Sequence, residues 1–138
     1  MDLVAITNAL AEQITTYTGL RALGQARDSV TPPCAVIIPG NPAVSYGSTM
    51  DETLSMNLMV LLIISDAAPV EMTQRALNTY LGIGAGEGES VPAAILQDPS
   101  LGGVAHWCEP VSVTNYGRIE YAGVTYFGAR LNVTVGAQ

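Results

Sequence analysis

The segment Leu54–Ile64 constrains this chain more than any other. Leu54, Met56, Leu58, Val60, Leu62 and Ile64 recur at every second position. Their alternates are polar at first (Thr53, Ser55, Asn57) and apolar later (Met59, Leu61, Ile63). Successive side chains of a strand point to opposite faces of its sheet. A strand with this pattern is half exposed where it begins and covered on both faces where it ends, and such a strand belongs in the middle of a sheet.

The rest of the chain supplies elements to surround it. Leu3, Ile6, Leu10, Ile14 and Tyr17 recur at helical spacing, and Gly19 offers a stop just beyond them. A weakly patterned stretch, Leu20–Val30, reads as an irregular or edge-strand segment carrying Arg21 and Arg27. Pro32-Pro33 and Pro39-Gly40 bracket the apolar run Cys34–Ile38, which predicts a short strand closed at both ends. Asn41–Asp51 is turn-rich, with a short strand possible at Ala43–Tyr46. Pro69 opens a second helix whose inner stripe includes Leu77 and Leu81, and Gly82 ends it. Val91–Gln97 has the pattern of one or two further helical turns. From Val104 onward period-two patterns dominate, and Ala122-Gly123 reads as a tight hairpin turn. The expected fold is α+β: one domain over residues 1–138, with two main helices packed on a mostly antiparallel or mixed sheet in the order α-β-β-α-β-β.

Composition narrows the function. With 49% hydrophobic and 12% charged residues the chain is too apolar to remain disordered. Its longest purely apolar run, Leu58–Ile64, is far too short to span a bilayer. No basic segment precedes an apolar one at the N-terminus, so no secretory leader is expected. A net charge of −7 with five Arg and no Lys leaves no wide basic patch for phosphates, so specific nucleic-acid binding is not expected. Few charges on a rather apolar surface point instead to an oligomer that covers part of it.

Reactive side chains are sparse. Gly82–Gly88 superficially resembles a phosphate cradle, but it follows a helix instead of a strand and carries Glu87 beside Glu89. His106 and Cys108 share one strand face, and Cys34 is the only other cysteine, too few ligands for a structural metal site. A Cys-dependent hydrolase using Cys34 or Cys108 with His106 is the enzyme alternative. The broader expectation is a protein that acts through its surfaces, with no catalytic, cofactor-binding or metal-binding residues. Tyr116, Tyr121, Tyr126 and Phe127, with Arg118 and Arg130, form an aromatic and cationic set near the last hairpin, read as exposed. Tyr and Arg anchor interfaces. Loops and hairpins carried by a rigid sheet are where binding residues concentrate. Tyr46, Met50, Tyr116, Arg118 and Tyr121 are therefore the candidate contacts with neighbouring chains.

The N-terminal helix, the strand Pro32–Ile38, the long strand before a Pro-started helix and the closing stretch Tyr116–Val135 together resemble tail terminator proteins of long-tailed bacteriophages. The resemblance rests on size and element order across essentially the whole chain, without a diagnostic motif. It implies a small α+β subunit made in the host cytoplasm and carried in the virion. There it forms a hexameric ring that caps the tail tube, ends its polymerisation and joins it to the neck. The implied partners are further copies of the chain, the tail tube protein and a neck or head-completion protein, with DNA only in transit and no membrane. Asp51, Glu52, Glu87 and Glu89 are candidate lumen-facing acids, since an acidic bore repels passing DNA. A head-completion or stopper ring at the neck is the nearest alternative, and a β-rich barrel with few helices would favour it.

Overall fold

The computed structural model describes residues 3–24, 32–46, 54–65, 71–82, 90–103, 105 and 107–137. Helix α1 is Leu3–Thr18, α2 is Glu71–Leu81 and α3 is Val91–Gln97. The strands are β1 (Arg21–Leu23), β2 (Cys34–Tyr46), β3 (Leu54–Ser65), β4 (Trp107–Tyr121) and β5 (Val124–Ala137). They form a mixed five-stranded sheet in the order β1-β2-β3-β5-β4. Only β1 and β2 run parallel; the other neighbours are antiparallel. The class is α+β, and β3 is the central strand that its pattern predicts.

The period-two logic divides the sheet into two unlike faces. Met56, Leu58, Val60 and Leu62 of β3 join Ala129, Leu131, Val133 and Val135 of β5 under the helices. Ile6, Leu10 and Ile14 of α1, Leu77 and Leu81 of α2, and Val91 and Ile95 of α3 close this main core. Leu3 lies outside the α1 stripe and is exposed. Leu61 and Ile63 point the other way and pack with Cys34, Val36, Ile119, Tyr121 and Tyr126 in a second, smaller cluster. No helix among the described residues covers that second face.

Local chemistry sets the helix ends. The Gly19 N–H donates to the Thr15 carbonyl (2.9 Å) with φ at 76°, the left-handed conformation that glycine adopts at no steric cost. Ser90 caps α3 by accepting from the Ala93 N–H (3.1 Å). At the other end of α3 the Gln13 side-chain amide donates to the carbonyls of Ala94 (2.6 Å) and Asp98 (3.2 Å), which locks α3 to α1. The Asp98 carboxylate accepts from the Ser100 hydroxyl (2.6 Å) and the Gly102 N–H (2.8 Å). Those bonds, the hydroxyl first, hold its pKa below the ordinary carboxylate value.

Two expectations require correction. The Pro39-Gly40 stop does not end its strand: β2 continues to Tyr46 through a register shift between Pro39 and Val44. A proline lacks an N–H to donate, yet a strand carries it at a bulge. The turn reading is overturned at Asn41-Pro42, whereas the short strand expected at Ala43–Tyr46 is the end of β2. The order α-β-β-α-β-β omits the edge strand β1 and the short helix α3, both of which the patterns of Leu20–Val30 and Val91–Gln97 allow; among the described residues the order is α-β-β-β-α-α-β-β.

The β4–β5 hairpin turns at Ala122-Gly123, with φ of 52° and 81°. Positive φ at both positions matches the twist of the flanking strands. Bulges follow along β4, between Pro110 and Ser112 and between Thr114 and Gly117, where Asn115 (φ 54°) and Gly117 (φ 124°) adopt positive φ. Bulges bend and twist a strand. The extra residue between Thr114 and Gly117 shifts the register, so Ile119 and Tyr121 lie on the same face as Tyr126, in the small cluster.

Candidate functional site

The predicted contact residues fall into different settings. Tyr116 is exposed, but its ring stands edge-on to Phe127 (centroids 6.1 Å apart, 84° between planes) and its hydroxyl donates to Asn78 Oδ1 (2.6 Å). It ties β4 to α2. Arg118 is exposed, opposite Phe127 in the hairpin register. Tyr121 is only 9% exposed, and Tyr126 and Phe127 are buried too, which corrects the reading of these three rings as an exposed set. Alternation alone assigns each a side of the hairpin but not what lies over it: Tyr121 and Tyr126 pack in the small cluster and Phe127 in the main core. Tyr46 pairs with Leu54 at the end of β2, and its side chain lies outside the described residues. Met50, the acidic candidates Asp51, Glu52, Glu87 and Glu89, and His106 also lie outside them. Among the described residues the sequence candidates are therefore not gathered into one site.

Two surface features emerge in their place. The first is the outer edge of β4, which has no neighbouring strand among the described residues. Val111 (58% exposed), Val113 and Trp107 stand open along it. An edge strand offers unpaired N–H and C=O groups and pairs readily with another chain. Pro110 and the two bulges confine regular pairing to short stretches of this edge. Trp107 lies against Gly136 of β5, so close that a Cβ on Gly136 would strike the indole.

The second feature is a cleft of about 370 Å³ on the helix-free face, lined in part by Gly40, Asn57, Thr114, Arg130, Asn132 and Thr134. Cross-strand register assembles it: Asn132 is opposite Ser112, Arg130 opposite Thr114, and Thr134 opposite both Asn57 and Glu109. The Asn132 amide donates to the hydroxyl oxygens of Ser112 (3.0 Å) and Thr114 (3.4 Å), and the Thr134 hydroxyl donates to Asn57 Oδ1 (3.3 Å). The Arg130 Nε is buried and has no hydrogen-bond partner among the described residues. Sequence reasoning placed Arg130 near the hairpin but could not find the cleft, because its walls come from segments far apart in the chain.

The thiols are buried on opposite faces of the sheet, Cys108 under the helices and Cys34 in the small cluster. Burial pushes the Cys108 thiol up to about 12, with Glu109 adding to the effect. Burial also raises the pKa of Cys34, against a smaller opposing pull from Arg21. A thiol that keeps its proton at neutral pH is a poor nucleophile. The shift has a stability consequence. Between the ordinary value of 9.0 and about 12 the unfolded chain releases the Cys108 proton while the folded chain retains it, so stability falls as pH rises through that window. Cys108→Ala lacks this loss. Urea unfolding should therefore show the stability gap between wild type and Cys108→Ala narrowing across the window; a constant gap would contradict it.

No group of three or more His, Cys, Asp and Glu among the described residues is placed to hold a metal ion. No helix among them is long and apolar enough to cross a membrane. In comparisons with known proteins, no family model and no curated sequence matches the chain.

Proposed function

We propose that this chain is a structural virion subunit of the tail-terminator type, which assembles as a hexameric ring on the end of a phage tail tube. On this reading it stops tube growth and offers a surface to the neck. The observation that carries it is the unpartnered β4 edge, with Val111, Val113 and Trp107 open to solvent. A ring needs a heterologous contact whose rotation closes, formed by two different patches on each copy. An edge strand at one end of a sheet, with distinct surfaces elsewhere on the subunit, suits that requirement. The low charge density of the chain favours the same arrangement.

An open sheet with helices on one face supports the terminator reading over the neck-stopper alternative, for which a β-rich barrel with few helices was the expected sign. The Cys-dependent hydrolase reading gains no support from thiols that are buried and shifted upward. The direct test is to interrupt the gene in a phage that carries it and measure tail lengths by electron microscopy. The proposal expects tubes of uncontrolled length and heads without tails. Normal tails joined to heads would overturn it.

A further inference from the structure

We infer that two copies of this chain pair through the last part of β4, Gly117–Tyr121, as antiparallel edge strands related by a two-fold axis at Ile119. The pairing does not rest on the ring reading, which engages the stretch around Val111 and Val113 on the other side of the bulge between Thr114 and Gly117.

The sheet has two outer strands, and they are not equally open to a partner. On β1, only three residues long, the Ala22 N–H already donates to Thr15 Oγ1 of α1 (3.1 Å). Two copies that join sheet to sheet must therefore do so through β4 of each, an isologous contact. Along β4 the pairing with β5 is unbroken from Gly117 to Tyr121, so this stretch presents a regular outer side. The two-residue turn closes Tyr121 onto Val124, and bonded and non-bonded pairs alternate from there along an antiparallel ladder. The N–H and C=O groups of Arg118 and Glu120 thus point away from β5, to the open edge. Their side chains share one face of the sheet, opposite Phe127 and Thr125, and both are exposed.

A two-fold axis at Ile119 sets Arg118 of each copy opposite Glu120 of the other, twice over, with the outward backbone groups facing one another. Opposite charges directly across a strand pair attract and like charges repel. An axis moved to residue 118 would set Arg118 against itself, and one moved to 120 would set Glu120 against itself. An axis midway between residues would turn outward backbone groups against inward ones. The charges therefore select one register. On the other face Gly117 meets Tyr121 of the second copy, and a Cβ on Gly117 would touch nothing within 4 Å, so the space for that ring is open. So short a contact is well below the roughly 1,600 Å² of a standard interface, which makes the pair weak and populated at high protein concentration.

Charge reversal and its rescue test the pairing. Sedimentation equilibrium at high concentration should show a monomer–dimer step in wild type. Arg118→Glu and Glu120→Arg each place two like-charge pairs across the axis, so each should weaken dimerisation about tenfold or more. The double variant, Arg118→Glu with Glu120→Arg, should restore it. A wild type without a dimer, a single reversal that dimerises like wild type, or a double variant as weak as the singles would each overturn the pairing. Circular dichroism checks the fold of each variant. A second measurement stands even if a reversal variant fails to fold. Residues 118 and 120 of facing copies would lie about 5.5 Å apart between Cα atoms, within reach of a disulfide. Arg118→Cys mixed with Glu120→Cys under mild oxidation should form a chain-to-chain disulfide that neither variant forms alone, and the native Cys34 and Cys108 are buried away from it. Equal cross-linking in either variant alone, or none in the mixture, would overturn the register. Hexamers without the dimer would overturn the pairing and leave the ring.

Discussion

Gly128→Ala should cost about 3 kcal/mol or more of folding stability, at the upper end of what overpacking a core exacts. Gly128 sits opposite Ile63, where the β3–β5 register shifts before Ser65 pairs with Phe127. A Cβ added there would be driven into the carbonyl oxygen of Leu62, with Ile119 Cδ1 only 3.1 Å away. The obstacle is backbone of the central strand, so no rotamer change relieves it; β3 and β5 would have to separate. Gly136→Ala provides the comparison. The atoms nearest its added methyl are all in the Trp107 ring, a side chain that can swing out towards solvent. That variant should lose much less stability while the fluorescence of this single tryptophan shifts to the red. Urea midpoints decide between them. Equal midpoints for the two variants would mean that the close approach at Gly128 is not what shapes the sheet.

The second large effect is on assembly. Val111→Lys combined with Val113→Lys should abolish ring formation and leave a folded monomer. Both side chains are exposed, so the folded subunit loses little. A charge on an edge strand is a device by which proteins prevent edge-to-edge pairing. Each tenfold loss of association corresponds to about 1.4 kcal/mol, and two lysines buried in a contact exceed that. The measurement is sedimentation velocity of both proteins at matched concentrations, with circular dichroism as the folding control. A double variant that associates like wild type would move the interface away from β4. Tyr121→Ala is a poor probe of the same question, because its ring belongs to the small buried cluster and its loss would destabilise the subunit itself.

What the sequence made legible was whatever depends on short-range periodicity. The centrality of β3 follows from the shift in its alternate positions, and the Ala122-Gly123 turn follows from two small residues between alternating runs. The α1 stripe through Ile6, Leu10 and Ile14 is read the same way. What remained hidden depends on register and bend. Pro39-Gly40 looked like a strand end because a bulge that carries a proline leaves no periodic trace. Tyr121 and Tyr126 looked exposed because alternation says which side a residue faces, not whether something lies over it. The Arg130 cleft needs Asn57, Thr114 and Arg130 brought side by side across three strands, and no local pattern specifies that pairing.

On the proposed function the chain works as a closed ring. Native mass spectrometry over a concentration series, with negative-stain microscopy of the largest species, tests it most directly. A hexameric species that grows in with concentration and appears as a ring with an open bore is the expected result. A chain that remains monomeric at every concentration, or that grows into open polymers without a closed species, would contradict it.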